Sequence, residues 1–310
     1  MDYLVSIYTC VYNGEKTIHR VFGSIKNQTY KNIEHIIVND GSTDGTAELV
    51  KQYMSEADYP VKYFEKENGG KHTAANAAWD NAEGYFAVQL DADDELLPDA
   101  IEFLVNEYKS IPDEIKDDFW CVHGRCIDQS EHKMIGEPYP EGINDLSAEK
   151  ALRIAENIKG DKFGMMKTAC LKGYRYPEPE AVTFVTENHV WHPVNQLYRT
   201  WYTNREALIY YINEGESLSN PKLKKQTCSN YAYNLKYELE NRKKFRLPAK
   251  KILNSLLFYI IYRGMATEAY KKAHPYFLRN NDIFLNMMLF ILAVPGKTAS
   301  LYFKKRWNVI

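Results

Sequence analysis

Over its first 110 residues the chain alternates short apolar runs with helical patterns, and three of the apolar runs end in dense polar turns. Leu4–Val11 reads as a buried strand, and Glu15–Asn27 sets Ile18, Val21, Phe22 and Ile25 at helical spacing. His35–Val38, Val61–Glu65 and Tyr85–Leu90 read as further strands. Thr46–Met54, Lys71–Ala82 and Pro98–Lys109 read as helices, the last with its proline in the first turn, where a missing N–H does no harm. Such alternation through short links predicts an α/β fold, a mostly parallel sheet with helices on both faces. Ligands of such folds bind outside the carboxyl ends of the strands. The turns after Val11, Val38 and Leu90 are therefore where a site is expected.

Two nucleotide motifs can be set aside. Gly69-Gly70-Lys71-His72-Thr73 ends like a phosphate loop, but Glu65 stands where its first glycine belongs. No Gly-x-Gly-x-x-Gly follows the first strand, which disfavours nicotinamide dehydrogenases. The turn after Leu90 is the more telling one: Asp91, Asp93, Asp94 and Glu95 crowd carboxylates that repel unless a cation or solvent intervenes. Alternate residues of an extended segment share a direction, so Asp91 and Asp93 can converge. Oxygen ligands of this kind suit Mg²⁺ or Mn²⁺. The plain alternative is an acidic loop capping the helix near Pro98.

Later elements are less regular. Phe119–Ile127 and Asp161–Thr168 read as strands, Glu187–Tyr198 as a helix and Tyr202–Ile212 as a strand. Gln196–Trp201 nearly imitates the Gln-x-x-Arg-Trp signature of processive polysaccharide synthases with one residue too many, and reads as a helix end. From Ser229 onward the chain reads as helical and basic. Residues 1–220 carry 21 Lys and Arg against 37 Asp and Glu, a net −16, while residues 221–310 carry 18 against 4, a net +14. A basic tail on an acidic body predicts an anionic partner for the tail. The acidic body argues against a broad nucleic-acid footprint.

The 310 residues are 45% hydrophobic and 26% charged, which excludes a disordered chain. A mean hydropathy of −0.49 excludes a polytopic membrane protein. The apolar stretch Ile283–Pro295 falls short of the roughly 20 residues a spanning helix needs. The opening MDYLVSIYTCVYN has no basic segment before an apolar run, so no leader peptide is expected. Five cysteines without a Cys-x-x-Cys pair read as free thiols. The 24 tyrosines suggest wet, amphipathic surfaces.

Taken in order, Thr9-Cys10-Val11-Tyr12-Asn13, Val38-Asn39-Asp40-Gly41-Ser42-Thr43-Asp44, Asn68-Gly69-Gly70-Lys71 and Asp91-Ala92-Asp93-Asp94 resemble the nucleotide-binding half of family 2 glycosyltransferases. The likeness covers residues 4–110, and Asn68–Ala74 resembles a bacterial subgroup. Gly160-Asp161-Lys162 and Phe184-Val185-Thr186-Glu187 with Trp191 resemble the family's acceptor half. The family often has proline at or beside Cys10 and a second aspartate at Asn39. The resemblance implies a GT-A catalytic domain over residues 1–215, divided at 110 into nucleotide-binding and acceptor halves, and a basic helical region over 216–310.

It also implies roles. Thr9, Tyr12, Asp40, Lys71 and Asp91 would bind the nucleotide sugar, Tyr12 stacking on the base and Asp40 accepting the N3–H of uracil. Ser42 or Asp44 would cap the following helix. Asp93 and Asp94 would hold Mn²⁺ or Mg²⁺, and Glu187 would be the general base of a single inverting displacement. His189 and His192 are rival bases, and Trp191 suits sugar stacking or core packing equally. The implied enzyme is non-processive, takes a UDP-linked sugar and serves a glycan or lipid-linked glycan acceptor in surface polysaccharide synthesis. It would be cytoplasmic and peripheral at the inner face of the membrane, with its basic tail on anionic lipid or folded on the catalytic body. A nucleotidyltransferase, or a non-catalytic binder of sugar nucleotides or glycans, are the alternatives.

Overall fold

The computed structural model describes residues 2–211, 223–245, 247–279 and 283–306, apart from the side chains of 293–297. The boundary expected at 215/216 lies outside the described residues. The chain divides into two compact units, one of residues 1–176 and 190–213, the other of residues 177–189 and 214–310.

The first unit is built on an eight-stranded sheet. Its strands are β1 (Val5–Val11), β2 (Ile33–Asn39), β3 (Val61–Glu65), β4 (Phe86–Gln89), β5 (Glu95–Leu96), β6 (Phe119–Asp128), β7 (Lys162–Lys167) and β8 (Arg199–Tyr210), in the order β3-β2-β1-β4-β7-β6-β8-β5. β3, β2, β1 and β4 run parallel, as do β6 and β8; β7 and β5 enter antiparallel. The helices are α1 (Ile18–Lys26), α2 (Thr46–Glu56), α3 (Lys71–Asn81), α4 (Ala100–Ser110), α5 (Ala148–Asn157), α6 (Thr168–Gly173) and α7 (Asn188–Asn195), whose first two residues belong to the second unit.

Both faces of the parallel strands are covered, as alternation requires. Val5, Ile7 and Val11 of β1 pack with Val21 and Ile25 of α1, Val50 of α2 and Leu104 of α4. Tyr8, pointing the other way, meets the indole of Trp79 on α3 edge-on at 6.3 Å. Many tyrosines therefore serve the core rather than wet surfaces. Tyr8, Tyr53, Tyr108, Tyr259 and Tyr270 are all buried, and the Tyr259 hydroxyl donates to the Tyr276 carbonyl at 2.7 Å.

Gln196–Trp201 is a turn followed by the first three residues of β8, so it is not a helix end alone. Leu197 and Tyr198 close on the Val194 carbonyl at 3.0 Å, and Arg199 begins the pairing with β6.

The second unit's regular elements are α8 (Lys225–Glu240), α9 (Ala249–Met265), α10 (Glu268–Ala273) and α11 (Ile283–Arg306). Segment 177–189 is anchored to α8: Asn230 and Asn234 accept the amides of Thr183 and Thr186 at 2.9 and 3.0 Å. Among the described residues no helix is long and apolar enough to cross a membrane.

A buried cation fixes the excursion between β6 and β7. Arg125 has no solvent exposure, and its Nη2 donates to the carbonyls of Ile135, Glu137 and Lys159 at 3.0, 2.7 and 3.3 Å. The two tied segments touch where Gly136 and Gly160 pass each other; a Cβ on Gly160 would lie 2.1 Å from the Ile135 oxygen. Removing the guanidinium strands three carbonyls away from water. Arg125→Ala is therefore expected to cost about 3 kcal/mol or more, seen as a lower urea midpoint by circular dichroism. An unchanged midpoint would show that water replaces the guanidinium.

Candidate active site at the carboxyl ends of the parallel strands

Parallel pairing brings the loops after β1, β2, β3 and β4 to one edge of the sheet. The first two are laced together. Asn13 and Gly14 donate their amides to Ser42 Oγ and Thr46 Oγ1, both at 2.9 Å, and Asn13 Oδ1 accepts the Thr43 amide at 2.8 Å. Asn13 adopts φ +52, a left-handed conformation that asparagine tolerates. Asp44 accepts the Thr46 amide at 3.1 Å at the mouth of α2, whereas Ser42 serves Asn13 instead.

Tyr12 stands beside this knot, 54% exposed, so it is not a buried strand-end residue. Thr9 differs from expectation. It is fully buried, and its hydroxyl pairs with His35 Nε2 at 3.1 Å, so its side chain serves the core rather than a ligand.

Asp40 joins the loops after β2 and β3. Its Oδ1 accepts from Lys66 Nζ at 2.7 Å and from the Gly69 amide at 3.0 Å; its Oδ2 accepts the Gly70 amide at 2.7 Å. Gly70 has φ +95, which a side chain would strain, and α3 starts at the next residue. Gly41 is equally constrained: at φ +77 a Cβ would lie 2.8 Å from the Asn68 nitrogen.

Lys71, the first residue of α3, donates to Asp91 Oδ2 at 2.7 Å. Gln89 Nε2 donates to Asp91 Oδ1 at 2.9 Å and its Oε1 accepts from the buried Tyr8 hydroxyl at 3.0 Å, which ties the acidic turn to the core. Carboxylate oxygens of Asp91, Asp93 and Asp94 lie within 4.8 Å of one another. Arg20 frames the same turn. Its Nη1 donates to the Asp93 carbonyl at 3.2 Å and its guanidinium lies 3.9 Å above the Tyr211 ring. The Tyr211 amide donates to Asp94 Oδ1 at 3.3 Å.

The three carboxylates differ electrostatically. Burial alone would raise Asp91, but the Lys71 charge and the hydrogen bonds from Lys71 and Gln89 outweigh it and hold the group below 3.8. Desolvation by its neighbours, then the Asp91 charge, raise Asp93, although its outer edge faces solvent. Burial, then the charges of Asp91 and Asp93, push Asp94 from 3.8 up to about 8. One carboxylate is neutralised from within the chain and two are not. That is the pattern a hard divalent cation would relieve, so the residues fit Mg²⁺ or Mn²⁺.

Glu187 is exposed, immediately before α7, and belongs to the second unit. His189 is buried, stacked on Tyr233 and Tyr237 at ring distances of 5.5 and 3.7 Å, which is a packing role. Trp191 packs against Trp120 at 5.4 Å. Sequence reasoning passed over Lys66, Gln89, Arg20 and Tyr211. Of these only Lys66 carried a signal, as a cation beside the Asn68-Gly69-Gly70 break.

The chain is 35% identical over 149 residues to "Glycosyltransferase GlyA" of Streptococcus pneumoniae, a match that covers 47% of this chain and 21% of that protein. It thus spans only about a fifth of that relative's length. It is 25% identical over 279 residues to the GalNAc(5)-diNAcBac-PP-undecaprenol beta-1,3-glucosyltransferase of Campylobacter jejuni, covering 81% and 88% of the two chains. Its fold resembles that of S. aureus TarS residues 1–349 in complex with UDP-GlcNAc, with TM-score 0.56 at 17% identity, over 98% and 92% of the two chains. It also resembles the mannosyltransferase PcManGT of Pyrobaculum calidifontis in complex with GDP-Man and Mn²⁺, with TM-score 0.53 at 18% identity, over 99% and 88%. The fold is thereby the GT-A arrangement with a helical C-terminal region. A family model described as "Glycosyl transferase family 2" matches residues 6–167, a span that contains Asp40, Lys71, Asp91, Asp93 and Asp94 and more than half of the chain, and the protein belongs to that family.

Proposed function

We propose that this chain is a non-processive, inverting glycosyltransferase that moves a sugar from a nucleoside diphosphate, UDP, to a glycan or lipid-linked glycan. The convergence of Asp91, Asp93 and Asp94 at the carboxyl end of β4, with Lys71 on one of them, carries the reading. Family membership supports glycosyl transfer, and the undecaprenol-linked substrate in the Campylobacter relative's name supports the acceptor class. The reading places the protein in the cytoplasm, peripheral at the inner face of the membrane, in surface polysaccharide synthesis.

The roles follow the chemistry of each group. Tyr12 offers an exposed ring to the base. Asp40, an acceptor held between two loops, takes the N–H edge of uracil. Asp91, kept ionised by Lys71, receives a ribose hydroxyl. Asp93 and Asp94 would hold Mn²⁺ or Mg²⁺, which would supply positive charge against the departing diphosphate. Glu187 takes the proton from the attacking acceptor hydroxyl.

Asp93→Ala should abolish the Mn²⁺-dependent part of UDP binding in calorimetry and lower turnover at least 100-fold, with the thermal transition in place. Persisting Mn²⁺-dependent binding would remove the metal from this site. Glu187→Gln should keep donor affinity within about twofold and lose about 10²–10⁴ in transfer rate. Full activity in that variant would move the base elsewhere.

The raised Asp94 gives a pH test. In the metal-free protein its protonated form is the favoured one, so the stability it contributes is complete below 3.8 and is lost as pH rises toward 8. A bound cation needs the carboxylate ionised and therefore binds with proton release. The rise in melting temperature on adding Mg²⁺ and UDP should be larger at pH 8 than at pH 6. An equal shift at both would show that Asp94 gives up no proton when the ion binds.

A further inference from the structure

Helix α11 is apolar on two sides, and one of them is covered from within the second unit. Leu285 and Leu289 are buried, and Ser300 Oγ donates to the Ile261 carbonyl of α9 at 3.1 Å. The two helices come so close there that a Cβ on Gly264 would lie 2.1 Å from Ser300 Oγ. Asn286 fixes the register at the other end, accepting the Leu278 amide at 2.8 Å and donating to its carbonyl at 3.3 Å.

The other side faces water. Ile283, Phe284, Met287, Phe290, Ile291 and Leu301 are exposed, Ile283 at 83% and Phe290 at 71%. Their spacing lines them along one helical face. Five of these large apolar side chains fall between Ile283 and Ile291, and an exposed apolar patch of this kind marks an interaction surface.

Charge selects what covers it. Lys304, Lys305 and Arg306 close α11, and exposed Lys250 and Lys251 open α9. By helical spacing Lys305 falls on the apolar face itself, with Lys304 and Arg306 to either side. Residues 221–310 carry 18 Lys and Arg against 4 Asp and Glu. A symmetric pair of copies would bring two strongly net-positive regions together, which opposes association. An anionic bilayer satisfies both features at once: apolar side chains enter the acyl boundary while the basic groups meet lipid headgroups.

We infer that α11 lies flat on an anionic lipid surface, with Ile283, Phe284, Met287, Phe290, Ile291 and Leu301 inserted and Lys304–Arg306 at the headgroups. The inference deepens the placement at a membrane given above and rests on that reading for its setting, but its test needs neither donor nor metal. The full chain is floated with vesicles of phosphatidylglycerol and phosphatidylcholine, and with vesicles of phosphatidylcholine alone. Flotation should be at least tenfold greater with phosphatidylglycerol and should fall with added salt. Met287→Glu with Phe290→Glu should lower it at least tenfold with an unchanged circular dichroism melt, and Lys304→Glu with Lys305→Glu should do the same. Absence of wild-type flotation with both vesicle types would overturn the inference. So would a solution dimer that Met287→Glu with Phe290→Glu dissociates, which would make a second copy the occupant. Failure here leaves sugar transfer standing, while flotation without any transfer activity would remove the enzymatic reading alone.

Discussion

Three carboxylates in one four-residue turn cannot all be ionised at close range without a counter-charge, and the ion pair between Lys71 and Asp91 is what this chain supplies. That pair is set from a distance. Asp40, at the end of β2, accepts the Gly69 and Gly70 amides and so fixes where α3 begins. The start of α3 places Lys71, Lys71 holds Asp91, and Gln89 links Asp91 to the buried Tyr8 hydroxyl. A residue proposed to read the base is thus connected, through one helix start, to the residues proposed to hold the metal. Lys66 completes the network: it donates to Asp40 and to Thr73 Oγ1 on the first turn of the same helix.

Much of the nucleotide-binding half was legible because its elements are local and periodic. β3 falls on Val61–Glu65 as read, and the helices expected at Thr46 and Lys71 begin there. What escaped is long-range. β5 is two residues, Glu95–Leu96, and exists because it pairs with Leu208 and Ile209 of β8; no window around position 95 contains that partner. The antiparallel entry of β7 between β4 and β6 is likewise a matter of partners. α5 was within reach of the sequence, since Ala151, Ile154, Ala155 and Ile158 stand at helical spacing on one face.

The burial of Thr9 was hidden for a different reason. β1 is covered on both faces, so its residues are almost uniformly buried and alternation does not tell one face from the other. The Thr9 hydroxyl joins His35 and Tyr53 in the core, where burial holds the imidazole neutral, at about 3. His189 follows the same logic in the second unit. Its sequence neighbourhood, near Glu187 and Trp191, made it a candidate base, but two tyrosine rings 48 residues away or nearly so, Tyr237 and Tyr233, enclose it. Burial and stacking are properties of the partners, and the partners lie on another element.

Net charge and local charge both work against a diphosphate at the proposed donor site. Residues 1–220 carry a net −16, which by itself would repel a diphosphate. At physiological ionic strength, charges more than about 8 Å away are largely screened, so the distant acidic surface matters little to a bound ligand. What matters is the immediate shell, where Lys66, Lys71 and Arg20 stand among Asp40, Asp91, Asp93 and Asp94. Lys66 and Lys71 are each engaged with a carboxylate of that shell, and the two aspartates pushed upward in pKa leave it short of positive charge. A dianionic donor could therefore not bind well to these side chains alone. The deficit on the protein and the charge on the diphosphate would both be met by the proposed divalent ion, in which case donor and metal should each bind more tightly in the presence of the other.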